Sequence, residues 1–356
     1  MTGDEVGRLK FLRTAVGQRV ILWSLFFLIC MGLGYPTLNR YDPRTVPGLS
    51  DTIGYFSTVV GGRLADDEQH RVLVPYLAKP VYWLVKDHLS SWNPIAFALL
   101  VSNSFFIATT ACLLVSIGRR ITGDNAVALV SAFVYLANFA VANWNLSGYV
   151  DSAVNCLILA VVWTLLSDRW WLLPLWGILG ALAKEIFIPL AGVLAFVWWL
   201  TAFRRGALRL SRLAWLGVMV AAGFATLALV MSQVEPGSTP MNFAVGRWSS
   251  SGSGYFYLSG LLRCLFSRET LYAFGWLLPF GVWRLGRLPK TWVLGSTCAA
   301  LAACVLGAYD DALGNYIRAV FSAIGPLLSL SAAILLVETG KPASIAENSS
   351  NGRVCG

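Results

Sequence analysis

An all-α polytopic membrane protein is the fold class this sequence predicts, with about ten transmembrane helices and a long first external loop that carries interfacial helices. Three observations predict it. Charged residues make up 13% of the chain and hydrophobic ones 57%, whereas a soluble domain carries roughly 25% charged residues. Apolar runs recur at about the 20 residues needed to cross a bilayer core of ~30 Å. The short alternating strands that mark a transmembrane barrel are missing from the sequence pattern.

The chain opens with a polar stretch, residues 1–18, containing Arg8, Lys10 and Arg13. A first span follows at about 19–37. No small-residue cleavage site precedes the polar loop, so this span reads as an uncleaved helix. The external loop, about 39–93, is the longest polar interval. Within it Ser50 can cap a short helix from Asp51 to about Val60, closed by Gly61-Gly62. Helical periodicity puts Ile53, Phe56 and Val60 on one face and Asp51, Tyr55 and Thr58 on the other. The expected helix lies on the membrane surface with its carboxylate on the polar side. Residues 72–85 are apolar but short, with Pro75 and Pro80 inside them, and predict a second interfacial or re-entrant segment.

Nine further spans are expected at about 94–117, 125–142, 150–167, 170–183, 186–203, 213–232, 270–284, 291–308 and 317–337. A second external loop, about 233–269, includes the Ser/Gly-rich run Ser249 to Gly254. Residues 1–338 thus read as one transmembrane domain and 339–356 as a polar cytoplasmic tail.

Basic side chains orient the spans. Arg119-Arg120, Arg169, Arg204-Arg205, Arg209 to Arg212 and Arg284 to Lys290 occupy alternate connections, together with the N-terminus. The positive-inside rule makes these cytoplasmic, and with them both termini. This asymmetry accounts for the net charge of +9 without a nucleic-acid partner. The seven cysteines sit mostly inside apolar runs with no Cys-x-x-Cys pair, and read as packing residues.

The same topology gathers Asp51, His70, Arg71, Asp151, Lys184, Glu185, Arg247, Arg263, Arg268, Glu269, Asp310, Asp311 and Arg318 on the external side. The hairpin 170–203 sharpens the inference. Its first arm, Trp170 to Ala183, spans roughly 21 Å at 1.5 Å per residue, short of the ~30 Å core. The tip, Lys184-Glu185, is therefore expected below the outer surface, where charges must face one another or a polar cavity. A water-accessible pocket opening outward is predicted, with Lys184 and Glu185 on its floor or wall.

Carboxylates and cations at the lipid boundary suit a lipid-linked phosphosugar. The tail stays in the bilayer, Lys and Arg meet the phosphate, and a carboxylate deprotonates an acceptor hydroxyl. No P-loop or Gly-x-Gly-x-x-Gly motif is present, which fits a sugar arriving on a lipid rather than a nucleotide.

Several motifs carry a resemblance. They are Asp51-x-x-x-Tyr55 after the first span, His70 to Leu84 (HRVLVPYLAKPVYWL), Gly148-Tyr149-Val150-Asp151 at an outer helix start, and Ala183-Lys184-Glu185. On these the first 200 or so residues resemble the polytopic glycosyltransferases of the GT-C superfamily, which contains protein O-mannosyltransferases and the lipid A aminoarabinose transferase. The second half is similar in hydropathy alone. The resemblance implies a polyprenyl-phosphate sugar donor, an inverting displacement, and a general-base carboxylate in the first external loop, matched here by Asp51. Of the residues that the topology gathers outside, Tyr55, His70, Arg71, Asp151, Lys184, Glu185 and Arg318 are read as the substrate-binding set. The acceptor is left open among glycan, lipid and protein. A bacterial inner-membrane location with an extracytoplasmic site follows from it. The carboxylate pair and the large soluble C-terminal domain of some members are not matched.

Each residue also has a plainer reading. Asp51 can be an acid favoured by a helix N-terminus, and Asp42, before Pro43, is read as a turn. Asp66-Asp67-Glu68 is a solvated loop or an oxygen-ligand site for Mg²⁺ or Mn²⁺. Two histidines, His70 and His88, are too few for a histidine-based metal site. Arg71 and Arg318 can be interfacial anchors, and Asp151 a helix cap. Lys184 and Glu185 can neutralise each other. A transporter or flippase of a lipid-linked or small solute is the competing function, weakened by the lack of mid-span charges and of repeated halves.

Overall fold

The computed structural model describes residues 15–40, 50–62, 70–89, 92–203, 210–234, 262, 265–309 and 314–340. Among them every regular element is helical. In chain order the α-helices are α1 Ala15–Arg40, α2 Ser50–Val60, α3 Leu73–Val85, α4 Pro94–Thr122, α5 Asn125–Leu136, α6 Asp151–Leu166, α7 Leu173–Ala183, α8 Phe187–Phe203, α9 Leu210–Val234, α10 Arg268–Phe274, α11 Leu277–Trp283, α12 Lys290–Tyr309 and α13 Gly314–Gly340. A π-helical turn, Val141–Asn145, stands between α5 and α6.

Local chemistry sets the bounds of the long elements. Asn93 caps α4, accepting from the amides of Ile95 and Ala96 at 2.9 and 3.3 Å, with Pro94 in the first turn. The same helix ends at Gly123 in the left-handed conformation, φ +69°, where a side chain would be strained. Asp124 then caps α5 through the amides of Ala126 and Val127. Such caps satisfy the amides a helix start leaves open.

Helix α6 is the strut of the bundle. Nearly every residue along it is buried, and α4, α7, α8 and α13 pack around it. A helix apolar all round is what such a position demands. Arg120 donates to Ser167 and Arg212 pairs with Asp168 at 2.8 Å. These bonds bring the ends of α4 and α6 and the start of α9 to one end of the bundle. Arg284 pairs with Glu338 at 2.8 Å at the finish of α13. The starts of α6 and α13 lie at the other end.

Among the described residues four helices are long and apolar enough to cross a membrane: Val16–Leu38, Pro94–Thr122, Leu210–Gln233 and Tyr316–Gly340. Five of the other expected spans are apolar helices of 10–17 residues. The expected span at 125–142 stops at Leu136 and passes into the π turn. The expected span at 270–284 is two seven-residue helices, α10 and α11. The segment around 72–85 is a continuous α-helix despite Pro80. Pro75 falls in its first turn, where the missing N–H costs nothing.

Helix α2 has the expected length, and its closing glycines bond back to it, Gly62 to the Ser57 carbonyl at 2.8 Å. Its faces differ from the expected ones. Tyr55, Phe56 and Val59 are buried, whereas Val60 is 41% exposed. Tyr55 turns inward to meet the Arg71 guanidinium, so α2 packs against the bundle through residues of both expected faces, Phe56 as expected and Tyr55 against expectation.

Candidate functional site

Two loops and two helix starts bring six ionisable side chains together. Helix α3 is preceded by His70 and Arg71, both buried. Helix α6 begins on Asp151, after Gly148 has turned the chain with φ +91°. The α7–α8 turn carries Lys184 and Glu185, and the first turns of α13 carry Arg318. Gly180 and Phe187 fix the turn. A Cβ on Gly180 would fall inside the Phe187 ring, so only glycine lets α8 fold back this tightly.

Glu185 is the anchor of the first group. Arg71 grips it with both edges of its fork, Nε to Oε2 at 2.9 Å and Nη2 to Oε1 at 2.6 Å. The remaining arm, Nη1, donates to the Tyr55 hydroxyl at 3.0 Å. His70 Nε2 lies 2.9 Å from Glu185 Oε2. A bidentate guanidinium–carboxylate pair of this kind is among the stronger charge-assisted contacts. Burial alone would push the Glu185 carboxyl up, but Arg71 and His70 outweigh it and hold the group well below the usual carboxylate range.

Asp151 anchors the second group. Lys184 Nζ donates to its Oδ1 at 2.8 Å, and Arg318 Nη1 stands 3.5 Å from its Oδ2. The Arg318 guanidinium also lies 4.0 Å over the Tyr149 ring, a cation–π contact. Lys184 and Glu185 are consecutive, so the two groups form one cluster. Among the described residues it sets three permanent cations, Arg71, Lys184 and Arg318, against two carboxylates.

Lys184 and Glu185 do not neutralise each other; each reaches across to another element. Asp151 does not cap α6, whose start has no side-chain cap. The structure thus brings Tyr55, His70, Arg71, Asp151, Lys184, Glu185 and Arg318 together. These side chains pack on one another where an open pocket floor was expected. Helix α2 carries Asp51 in its first turn, but the Asp51 side chain lies outside what the structure describes, as do Asp42, Asp66, Asp67, Glu68, Arg247, Arg263, Asp310 and Asp311. Arg268 and Glu269 sit in α10. No three of His, Cys, Asp and Glu gather into a metal-binding group among the described residues.

Sequence reasoning missed the layer behind the cluster. Ser152 donates to Asn103, and Asn155 Nδ2 donates to Asn145 Oδ1 at 2.8 Å and to the Asp151 carbonyl at 3.1 Å. These buried amides tie α4 and the π turn to the first turn of α6. Their signal was present as uncharged polar residues inside apolar runs, one helical turn from Asp151. Tyr149, within a quoted motif, was likewise not singled out as a partner of Arg318.

A search of curated proteins and a search of solved structures each return no match. A family model of predicted membrane proteins, DUF2079, matches residues 69–339, from the edge of the His70–Arg71 turn to the end of α13. The matched stretch includes His70, Arg71, Asp151, Lys184, Glu185 and Arg318 of the cluster, with Tyr55 lying before it, and the chain belongs to this family of predicted membrane proteins.

Proposed function

We propose that the protein is a glycosyltransferase of GT-C type, moving a sugar from a polyprenyl-phosphate donor to an acceptor hydroxyl with inversion. In this reading the chain crosses the bacterial inner membrane about ten times, both termini are cytoplasmic, and the charged cluster faces the extracytoplasmic side. Asp51 is the general base, and Lys184, Arg71 and Arg318 stabilise the charge that develops on the departing phosphate. The acceptor class remains glycan, lipid or protein.

The observation that carries the reading is the charge balance of the cluster. Three permanent cations face two carboxylates among the described residues, and buried cations in such a setting favour an additional anion. A phosphate monoester or diester supplies it. A second observation speaks for a lipid carrier. An apolar cavity of about 420 Å³ is lined by Phe266, Leu271, Phe274 and Leu278. Phe274 packs on Phe321 with ring centres 5.9 Å apart, and Phe321 lies one helical turn after Arg318. A chain of apolar groups can therefore run from the cavity to the cluster.

The reaction breaks the sugar C1–O bond to phosphate and forms a C1–O bond to the acceptor, whose proton passes to Asp51. The electron pair leaves with the lipid phosphate. The test is mass spectrometry of lipid-linked sugars and glycans from cells carrying the wild type, Asp51→Asn or no protein. Donor should accumulate and one product disappear in both deficient strains, with Asp51→Asn inserted at the wild-type level. An Asp51→Asn strain that still makes the product removes Asp51 from the mechanism. Solute flux in proteoliposomes without a covalent product would make the protein a transporter instead.

A further inference from the structure

We propose that Arg120 and Arg169 bind the phosphate of an anionic phospholipid, at the end of the bundle opposite the charged cluster. Arg120 lies in the last turn of α4 and Arg169 just after α6. Arg120 Nη1 donates to the Ser167 hydroxyl at 3.1 Å. The Arg169 guanidinium folds back over the Trp163 ring, 5.3 Å from its centre. Trp163 and Ser167 are four residues apart at the end of α6, neighbours on one helix face with Cβ atoms roughly 5–6 Å apart. The two guanidiniums therefore flank one face of α6. Both side chains are exposed, and each is held by a neutral group.

The nearby carboxylates are engaged elsewhere. Asp168, just before Arg169, takes a left-handed backbone, φ +55°, and pairs with Arg212 at 2.8 Å. Asp124, beyond the end of α4, caps α5 through the amides of Ala126 and Val127. Among the described residues neither Arg120 nor Arg169 meets a carboxylate. Like charges held on one face repel, and an anion between them relieves the repulsion. The guanidinium fork suits a phosphate, whose oxygens accept paired N–H donors.

An apolar lane beside the cations names the phosphate's carrier. Trp171, Leu175 and Ile178 are exposed and fall at i, i+4 and i+7 of the apolar helical stretch Trp170–Ala183, which makes one stripe. The stripe starts two residues after Arg169. Tryptophan is enriched where a membrane meets water, so Trp163 and Trp171 put the guanidiniums at headgroup level. The headgroup then sits between Arg120 and Arg169, and an acyl chain lies along the stripe. Basic pockets between helix ends bind anionic headgroups in this way. The site stands apart from the proposed transfer chemistry and does not depend on it.

Native mass spectrometry tests the site on the full-length protein, loaded with equimolar phosphatidylglycerol and phosphatidylcholine of the same acyl chains. The wild type should retain phosphatidylglycerol about tenfold better. Arg120→Gln/Arg169→Gln should lose most of that preference. Arg287→Gln/Lys290→Gln removes the same charge elsewhere at this end of the bundle and should keep it. An unchanged preference in Arg120→Gln/Arg169→Gln overturns the proposal. An equal loss in both double variants overturns it too, because general surface charge then explains the binding. Arg169→Gln alone breaks no hydrogen bond among the described residues and gives the same reading should the pair fail to fold. Replacing chloride by inorganic phosphate at equal ionic strength should leave phosphatidylglycerol bound; its release would make this a site for a soluble anion and end the lipid assignment.

Discussion

At the scale of single residues, the Glu185 carboxylate has the most to lose by change. It neutralises Arg71, a guanidinium only 2% exposed, and it receives His70 as well. Glu185→Gln takes away the carboxylate that Arg71 grips with two bonds, and removing one partner of a buried pair costs about 3–5 kcal/mol. The variant should melt well below the wild type in detergent at pH 7. The sign of the pH dependence follows from the depressed carboxyl pKa. The stabilisation is complete above the unfolded-state value of about 4.3 and is lost as the pH falls through the folded-state value. The gap in melting temperature between wild type and Glu185→Gln should therefore persist from pH 8 to about 5 and close in stronger acid. A gap that does not change with acidification would mean that the pair is not ionised.

The identity of the cluster's members was legible in the sequence, because charges at the edges of apolar runs are expensive and must be used. Their pairing was not. Neighbours in sequence suggested Lys184 with Glu185, yet the extended backbone at Lys184, φ −169° and ψ 137°, separates the two side chains. Lys184 then reaches Asp151 and Glu185 reaches Arg71. Pairing across elements depends on helix packing, which no local pattern encodes.

Among elements, the α7–α8 hairpin does most to build the site. Helix α7 is 11 residues long, too short to carry its C-terminal end across a ~30 Å core, so its charged turn stays within the bundle. Gly180 is the contact on which the hairpin folds, its missing side chain replaced by the Phe187 ring. Gly180→Leu should displace Phe187 and cost about 1–3 kcal/mol through overpacking, lowering the melting temperature; a variant as stable as the wild type would show the hairpin to be loosely packed. The shortness of this arm was readable from residue spacing alone. The faces of α2 were not, since periodicity ranks Tyr55 as polar and cannot know that Arg71 stands inside to receive its hydroxyl. The break between α10 and α11 at Gly275-Trp276 was equally hidden, because the apolar run continues through it.

For the whole molecule, hydropathy made the all-helical membrane fold and the long helices plain. It did not give the number of crossings, because helices such as Asn125–Leu136 and Asp151–Leu166 are apolar through burial inside the bundle as much as through any contact with lipid. Position along the bundle separates two kinds of charge. Arg120, Asp168, Arg212, Arg284 and Glu338 pair at one end, while Arg71, Asp151, Lys184, Glu185 and Arg318 pair at the other. The second set carries the proposed chemistry, and the central proposal is that its three cations, set against two carboxylates among the described residues, take up a phosphate. Native mass spectrometry of the purified wild type with polyprenyl phosphate and with the matching unphosphorylated polyprenol tests it most directly. The phosphate should be retained at least tenfold better than the alcohol, a difference of about 1.4 kcal/mol or more; equal retention of the two lipids would rule out a phosphate-binding cluster.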